Sequence, residues 1–155
     1  MRLSDWHVLH HTPSAPSGHL PRSRGRKDQA LLIEGYASLF GVADTSGDVV
    51  RAGAFARSLR TGGVPMLLQH RGGAIVGRWV RMVEDGRGLF VRGLIEGSGA
   101  RALVSSAGLD GLSIGFRPRV WTQRGARGRL LADVELVEVS LVAEPMLEAA
   151  RFSVV

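Results

Sequence analysis

The chain contains no cysteine. Disulfides, thiolate metal sites and a cysteine nucleophile are excluded together, and the absence fits a reducing compartment. No apolar run approaches the roughly 20 residues that a membrane-spanning helix needs. The opening stretch, MRLSDWHVLHHTPS, has no signal-peptide apolar core. Lysine is nearly missing: of the 20 basic residues one is Lys27 and 19 are arginine. That skew reads as the mark of a GC-rich genome rather than of selected guanidinium chemistry. Aromatic residues are scarce, at 6%. This weighs against a nucleic-acid-binding barrel, which stacks bases on aromatics set beside basic residues. Neither GxGxxG after a strand nor GxxxxGK[ST] occurs, which argues against Rossmann and P-loop folds.

What is present suits one folded domain. The chain has 155 residues, 45% of them hydrophobic, and a net charge of +6. The basic balance favours acidic partners or nucleic acid, but the arginines are scattered and not gathered in one block. Residues 1–29 read as an irregular, weakly ordered leader with three prolines and four of the five histidines. His7, His10, His11 and His19 lack acidic or cysteine partners, so they read as a polar tail rather than a metal site. The folded domain is expected over 30–155. ALLIEGYASLF reads as a strand, and VVRAGAFARSLRTGG as a short helix stopped by Gly62-Gly63. VPMLLQH is a compact apolar strand. AIVGRWVRMVE and LFVRGLI form a hairpin around DGRG. EGSGARALVSSAG changes to helical period, with Ser98 at the N-cap and Gly108 at C′. LDGLSIGFRPRVWTQ and RLLADVELVEVSLVAE return to strand, and Pro145 ends the second. Many short strands, two short helices and 21 glycines imply a mainly β, closed or nearly closed antiparallel architecture with helices outside.

Three residues on separate strands draw attention. His70 ends an apolar strand, where an imidazole is aimed at a cleft or simply sits on the surface. Ser113, in DGLSIGFR, is either a hydroxyl buried in a barrel strand or one presented to a substrate. It does not form the GxSxG elbow of α/β-hydrolases, because Leu112 precedes it. Glu138, in VELVEVSLV, is a carboxylate among valines, and burying it unpaired is costly. Its partner is an imidazole or one of the arginines. By strand alternation Glu138 shares a face with Leu136, Ser140 and Val142, while Glu135 points away. A serine needs a base to take its proton, and the base needs an acceptor that fixes its tautomer. Spacing alone does not bring the three together.

The order of GYASLFGVADTSGDVVRAGAF, VPMLLQH, GLSIGF and LVEVSLVAEP resembles the prohead (capsid maturation) proteases of HK97-type tailed phages. The resemblance spans Leu31–Glu144. Proteases of this type also occur in prophages and gene transfer agents, and the arginine-rich composition suits a high-GC bacterial host. The resemblance implies a herpesvirus assemblin-like closed β-barrel surrounded by short helices. It also implies a serine endopeptidase with Ser113 as nucleophile, His70 as general base and Glu138 as third member. Glu96 and Glu135 are the fallbacks for that third place, and Arg117 is a candidate to support the oxyanion. The implied substrates are the scaffolding region of the major capsid protein and the protease itself, cleaved inside an assembling procapsid in the bacterial cytoplasm. No cofactor, no metal, no membrane and no nucleic acid is required, and a homo-oligomer is compatible. After LVAEP the chain departs from the family pattern. It reads MLEAARFSVV, which either docks on the barrel or is a processed tail. The competing readings are an inactive relative that serves as a scaffold and a basic nucleic-acid-binding β-barrel.

Overall fold

The computed structural model of the protein describes residues 29–155 other than Arg71 and Ala107. The four clustered histidines and nearly all of the proposed leader lie outside the described residues. In chain order the elements are β1 (Leu31–Leu39), β2 (Val49–Val50), α1 (Ala56–Thr61), β3 (Met66–Leu68), β4 (Ile75–Glu84), β5 (Gly88–Ile95), α2 (Ser98–Ser105), β6 (Gly111–Arg124), β7 (Gly128–Val142) and β8 (Phe152–Val154). The architecture is mainly β with two short helices, as the residue pattern indicates.

The local signals hold with identifiable exceptions. The helix expected from Val49 onward is shorter. Val49 and Val50 pair with Leu130 and Leu131 as β2, so β-branched residues go to the sheet and the helix starts only at Ala56. Ser98 opens α2 but does not cap it; Gly97 is the N-cap and no side-chain bond is made there. Gly108 lies one place beyond C′, where its N–H donates to the Leu103 carbonyl at 3.3 Å, a bond that satisfies an otherwise unpartnered helix-end carbonyl.

The expected closed barrel is not formed. One eight-stranded sheet runs β2-β7-β3-β4-β5-β1-β8, with β6 paired to β7. The two ends approach through the bridge Gly111–Arg151. The bonds Leu112 N–H to Ala150 O (2.8 Å) and Phe152 N–H to Asp110 O (2.9 Å) flank it. Beyond Leu112 no ladder continues along that edge of β6 among the described residues. On the other side of the seam β8 has only three residues, and they are already paired with β1. Nor is the sheet wholly antiparallel, because β2 and β3 both run parallel to β7.

Strand β7 is the spine of the fold. β6 pairs along its whole length on one edge, so β2 and β3 share the other. Between them α1 and the turn before it supply the missing partners. Val134 N–H donates to Ala54 O at 3.0 Å. The Ser58 hydroxyl donates to Val134 O and accepts from Leu136 N–H, at 3.0 and 2.9 Å. A buried strand edge is thereby satisfied by Ser58 of the helix and Ala54 of the turn before it. Ile33, Phe55, Met66, Leu89, Val91, Leu112, Leu131, Val139 and Leu141 form the core. The C-terminal segment docks: β8 pairs with β1 through Ile33–Val154 and Gly35–Phe152, and Phe152 is buried.

Candidate active site

Strands β6 and β7 set two of the three candidate residues by register. Ser113 stands directly opposite Ser140, and Gly115 opposite Glu138. Opposed residues of an antiparallel pair project to the same face, and so do residues two apart. Ser113, Gly115, Glu138 and Ser140 therefore share a face. Leu112, Ile114, Val139 and Leu141 point to the core on the other side.

The face is decided by an irregularity that simple alternation does not reveal. Phe116 pairs with Leu136, and the register then slips so that Gly115 pairs with Glu138. Val137 is the extra residue, and it is 39% exposed. A bulge of this kind re-aims the side chains that follow it. Leu136 consequently belongs to the core and does not share the face of Glu138, contrary to the strict alternation expected from sequence. Ser140 and Val142 do share it.

Glycine at 115 has a physical cause here. A Cβ built on Gly115 would lie 2.4 Å from Glu138 Cγ and 2.8 Å from its Oε1. The glycine is needed for the carboxylate's own side chain, not for a neighbouring backbone. Glu138 crosses this gap and meets His70, whose Nδ1 lies 2.5 Å from Glu138 Oε1.

His70 reaches the site from β3. Leu67 and Leu68 run parallel to Ser140 and Leu141, and Gln69 N–H still bonds Leu141 O at 2.8 Å. The strand then turns sharply. Gln69 and His70 take φ values of 50° and 55°, the only non-glycine residues with positive φ among those described. Such backbone costs about 1–3 kcal/mol per residue and concentrates at functional sites. The imidazole is 44% exposed and the carboxylate 12%. The base is thus open to solvent and its partner sheltered.

With Nδ1 held by Glu138, Nε2 is the ring nitrogen left to accept a proton. The Ser113 hydroxyl is buried and makes no hydrogen bond among the described residues. The structure thus joins two of the three candidate residues directly and sets the third on the same face of the adjacent strand. The fallback carboxylates are engaged elsewhere. Glu135 lies 3.5 Å from Arg117 and 4.0 Å from Arg119. Glu96 lies 3.0 Å from Arg78 beyond the end of β5. Arg117, the candidate oxyanion support, faces Glu135 and is 72% exposed.

A cavity of about 330 Å³ borders the same stretch of β6. Its wall includes Ser113, Ile114, Phe116, Val42, Met146 and Leu147. The β1–β2 loop over it is tied down by Thr45 N–H to Met146 O at 2.9 Å. At its polar end Asp48, 4% exposed, holds Arg129 through Nε at 3.1 Å and Nη2 at 2.5 Å. The Arg129 guanidinium keeps the Asp48 carboxyl below the usual carboxylate range. Sequence reasoning did not single out this pair. The available signal was an acidic residue directly before the apolar Val49-Val50.

Comparison with known proteins bears on the fold and the family. Two solved structures share the fold. A KSHV protease in complex with a hexapeptide phosphonate inhibitor matches with a TM-score of 0.56 at 15% identity, over 82% of this chain and 65% of that one. Varicella-zoster virus protease matches with a TM-score of 0.55 at 19% identity, over 81% and 64%. In sequence, the prohead protease of Enterobacteria phage HK97 is 40% identical over 93 residues, which take in 55% of this chain and 41% of that protein. The chain thus spans less than half the length of that curated relative. A profile of the caudovirus prohead serine proteases matches residues 20–155. The match takes in every element of the sheet together with His70, Ser113 and Glu138, and the chain belongs to the caudovirus prohead serine protease family.

Proposed function

We propose that the protein is a serine endopeptidase of procapsid maturation. Ser113 is its nucleophile, His70 its general base and Glu138 the acceptor that orients His70. The observation that carries this reading is the His70 Nδ1 to Glu138 contact on the face of β6–β7 that bears Ser113. Glu138 fixes the tautomer in which Nδ1 carries the proton, so Nε2 takes the Ser113 proton as the hydroxyl oxygen attacks a peptide carbonyl. The carboxylate then stabilises the imidazolium, which returns its proton to the leaving amine. Water repeats the cycle on the acyl-enzyme. The chemistry calls for no metal and no cofactor.

The cavity beside Ser113 offers a largely apolar recess for a substrate side chain next to the scissile bond. Membership of the prohead protease family supports the substrate assignment: the scaffolding region of the major capsid protein, and the protease's own chain, inside the assembling procapsid within the host cytoplasm. The folded domain from about residue 30 carries this activity.

Co-expression with the cognate major capsid protein tests the reading. The parent chain is expected to shorten the capsid protein at its N-terminal side, and S113A and H70A are expected to leave it intact. Undiminished cleavage by S113A removes Ser113 as the nucleophile.

A further inference from the structure

Four buried side-chain polar atoms lack a hydrogen-bond partner among the described residues: Trp79 Nε1, Ser113 Oγ, Asp133 Oδ1 and Ser140 Oγ. Two of the four belong to one directly opposed cross-strand pair, Ser113 and Ser140. Ser140 is fully buried, at 0% exposure. Its β7 neighbours are Val139 and Leu141, and Leu67 of β3 stands in register beside it. Alanine would fill such a place in an apolar strand without leaving a hydroxyl unpartnered. A buried hydroxyl of this kind destabilises the fold and calls for a reason.

We propose that Ser140 is a positioning residue that sets the Ser113 hydroxyl for attack. This rests on the reading of Ser113 as the nucleophile. Directly opposed residues in an antiparallel pair have Cβ atoms about 4.5–5.5 Å apart, and serine and threonine pairs at such positions hydrogen-bond. Rotation about χ1 of the two serines therefore brings their oxygens into contact. The Ser140 O–H donates to Ser113 Oγ and keeps its proton throughout. The Ser113 proton is left for His70 Nε2. Glu138, two residues before Ser140 on the same strand and face, fixes the base. One strand, β7, thereby orients both partners of the proton transfer: the imidazole through Glu138 and the nucleophile through Ser140.

The test separates positioning from packing. S140A removes a buried hydroxyl together with its one bond to Ser113, so the melting temperature changes little while kcat for a peptide substrate falls roughly 10- to 100-fold at unchanged KM. S140C, which keeps the volume and weakens the donor, is expected to lose rate in the same way. The rate of phosphonylation by a peptidyl phosphonate ester, in which Ser113 Oγ bonds to phosphorus and the ester alcohol leaves, falls in parallel with kcat in both. Parental kcat in S140A overturns the proposal. So does a rate loss that comes with a lower melting temperature and a raised KM, because that pattern marks a packing role. S113A is measured alongside: activity in S113A sinks the nucleophile assignment itself, whereas an inert S113A with a fully active S140A sinks only the role of Ser140.

Discussion

Gly115 is the residue on which the geometry turns. Its missing side chain is the space through which Glu138 reaches His70. G115A would push a methyl group into Glu138 Cγ and displace the carboxylate. The expected result is a roughly 100-fold loss of kcat in a chain that still unfolds cooperatively, read from peptide hydrolysis beside a thermal melt. E138Q probes the same contact without a steric change. It removes the charge that holds the imidazolium and is expected to lower kcat by about 10²- to 10⁴-fold with little effect on KM. At this scale sequence reading singled out residues that the structure sets on one face of β6–β7 or in contact with it. His70, Ser113 and Glu138 stood out as polar groups in apolar surroundings. The role of Gly115 was hidden, because the side chain that takes up its space comes from the facing strand. Ser140 was noted only as sharing a face with Glu138, since an unpartnered hydroxyl cannot be recognised before its strand partner is known.

At the scale of elements, β7 owes its shape to contacts that no pattern of alternation contains. The bulge at Val137 moves Leu136 to the core and leaves Glu138 on the site face. A one-residue insertion into a ladder depends on what lies across it, so strict period-two reading places Leu136 wrongly. Ser58 of α1 satisfies the strand's backbone just before this bulge. S58A leaves the Leu136 N–H without its acceptor, and a loss of about 1–3 kcal/mol is expected by denaturant titration. The Asp48–Arg129 pair ties β2 to the start of β7. Arg129 holds the Asp48 pKa low, so the pair's contribution is complete above the ordinary carboxylate pKa of about 3.9 and is lost as pH falls through the depressed value. D48N should therefore be less stable than the parent by about 1 kcal/mol near neutral pH, because the unpaired guanidinium, 34% exposed, keeps part of its hydration. The difference should close in strong acid. Urea midpoints measured across pH check both the sign and the window.

For the whole molecule, the mainly β class and the strands other than β2 and β8 were legible from turn signals and apolar runs. Closure was not. Whether a sheet shuts depends on how its last edges meet, and here they meet through the bridge between Gly111 and Arg151. The parallel pairing of β2 and β3 with β7 was equally hidden, because it joins segments more than 70 residues apart. The docked C-terminal segment completes this seam. Truncation of Phe152–Val155 removes the strand from the edge of β1 and a buried phenylalanine from the core. A loss of about 3–5 kcal/mol is expected from the phenylalanine alone, visible as a lower urea midpoint. The central claim concerns one oxygen atom, and the most direct measurement is the site of covalent modification by a peptidyl phosphonate, mapped by peptide mass spectrometry. The adduct is predicted on Ser113, formed slowly in H70A and absent in S113A. A stable adduct on another residue, or none on active parent protein, would contradict the account.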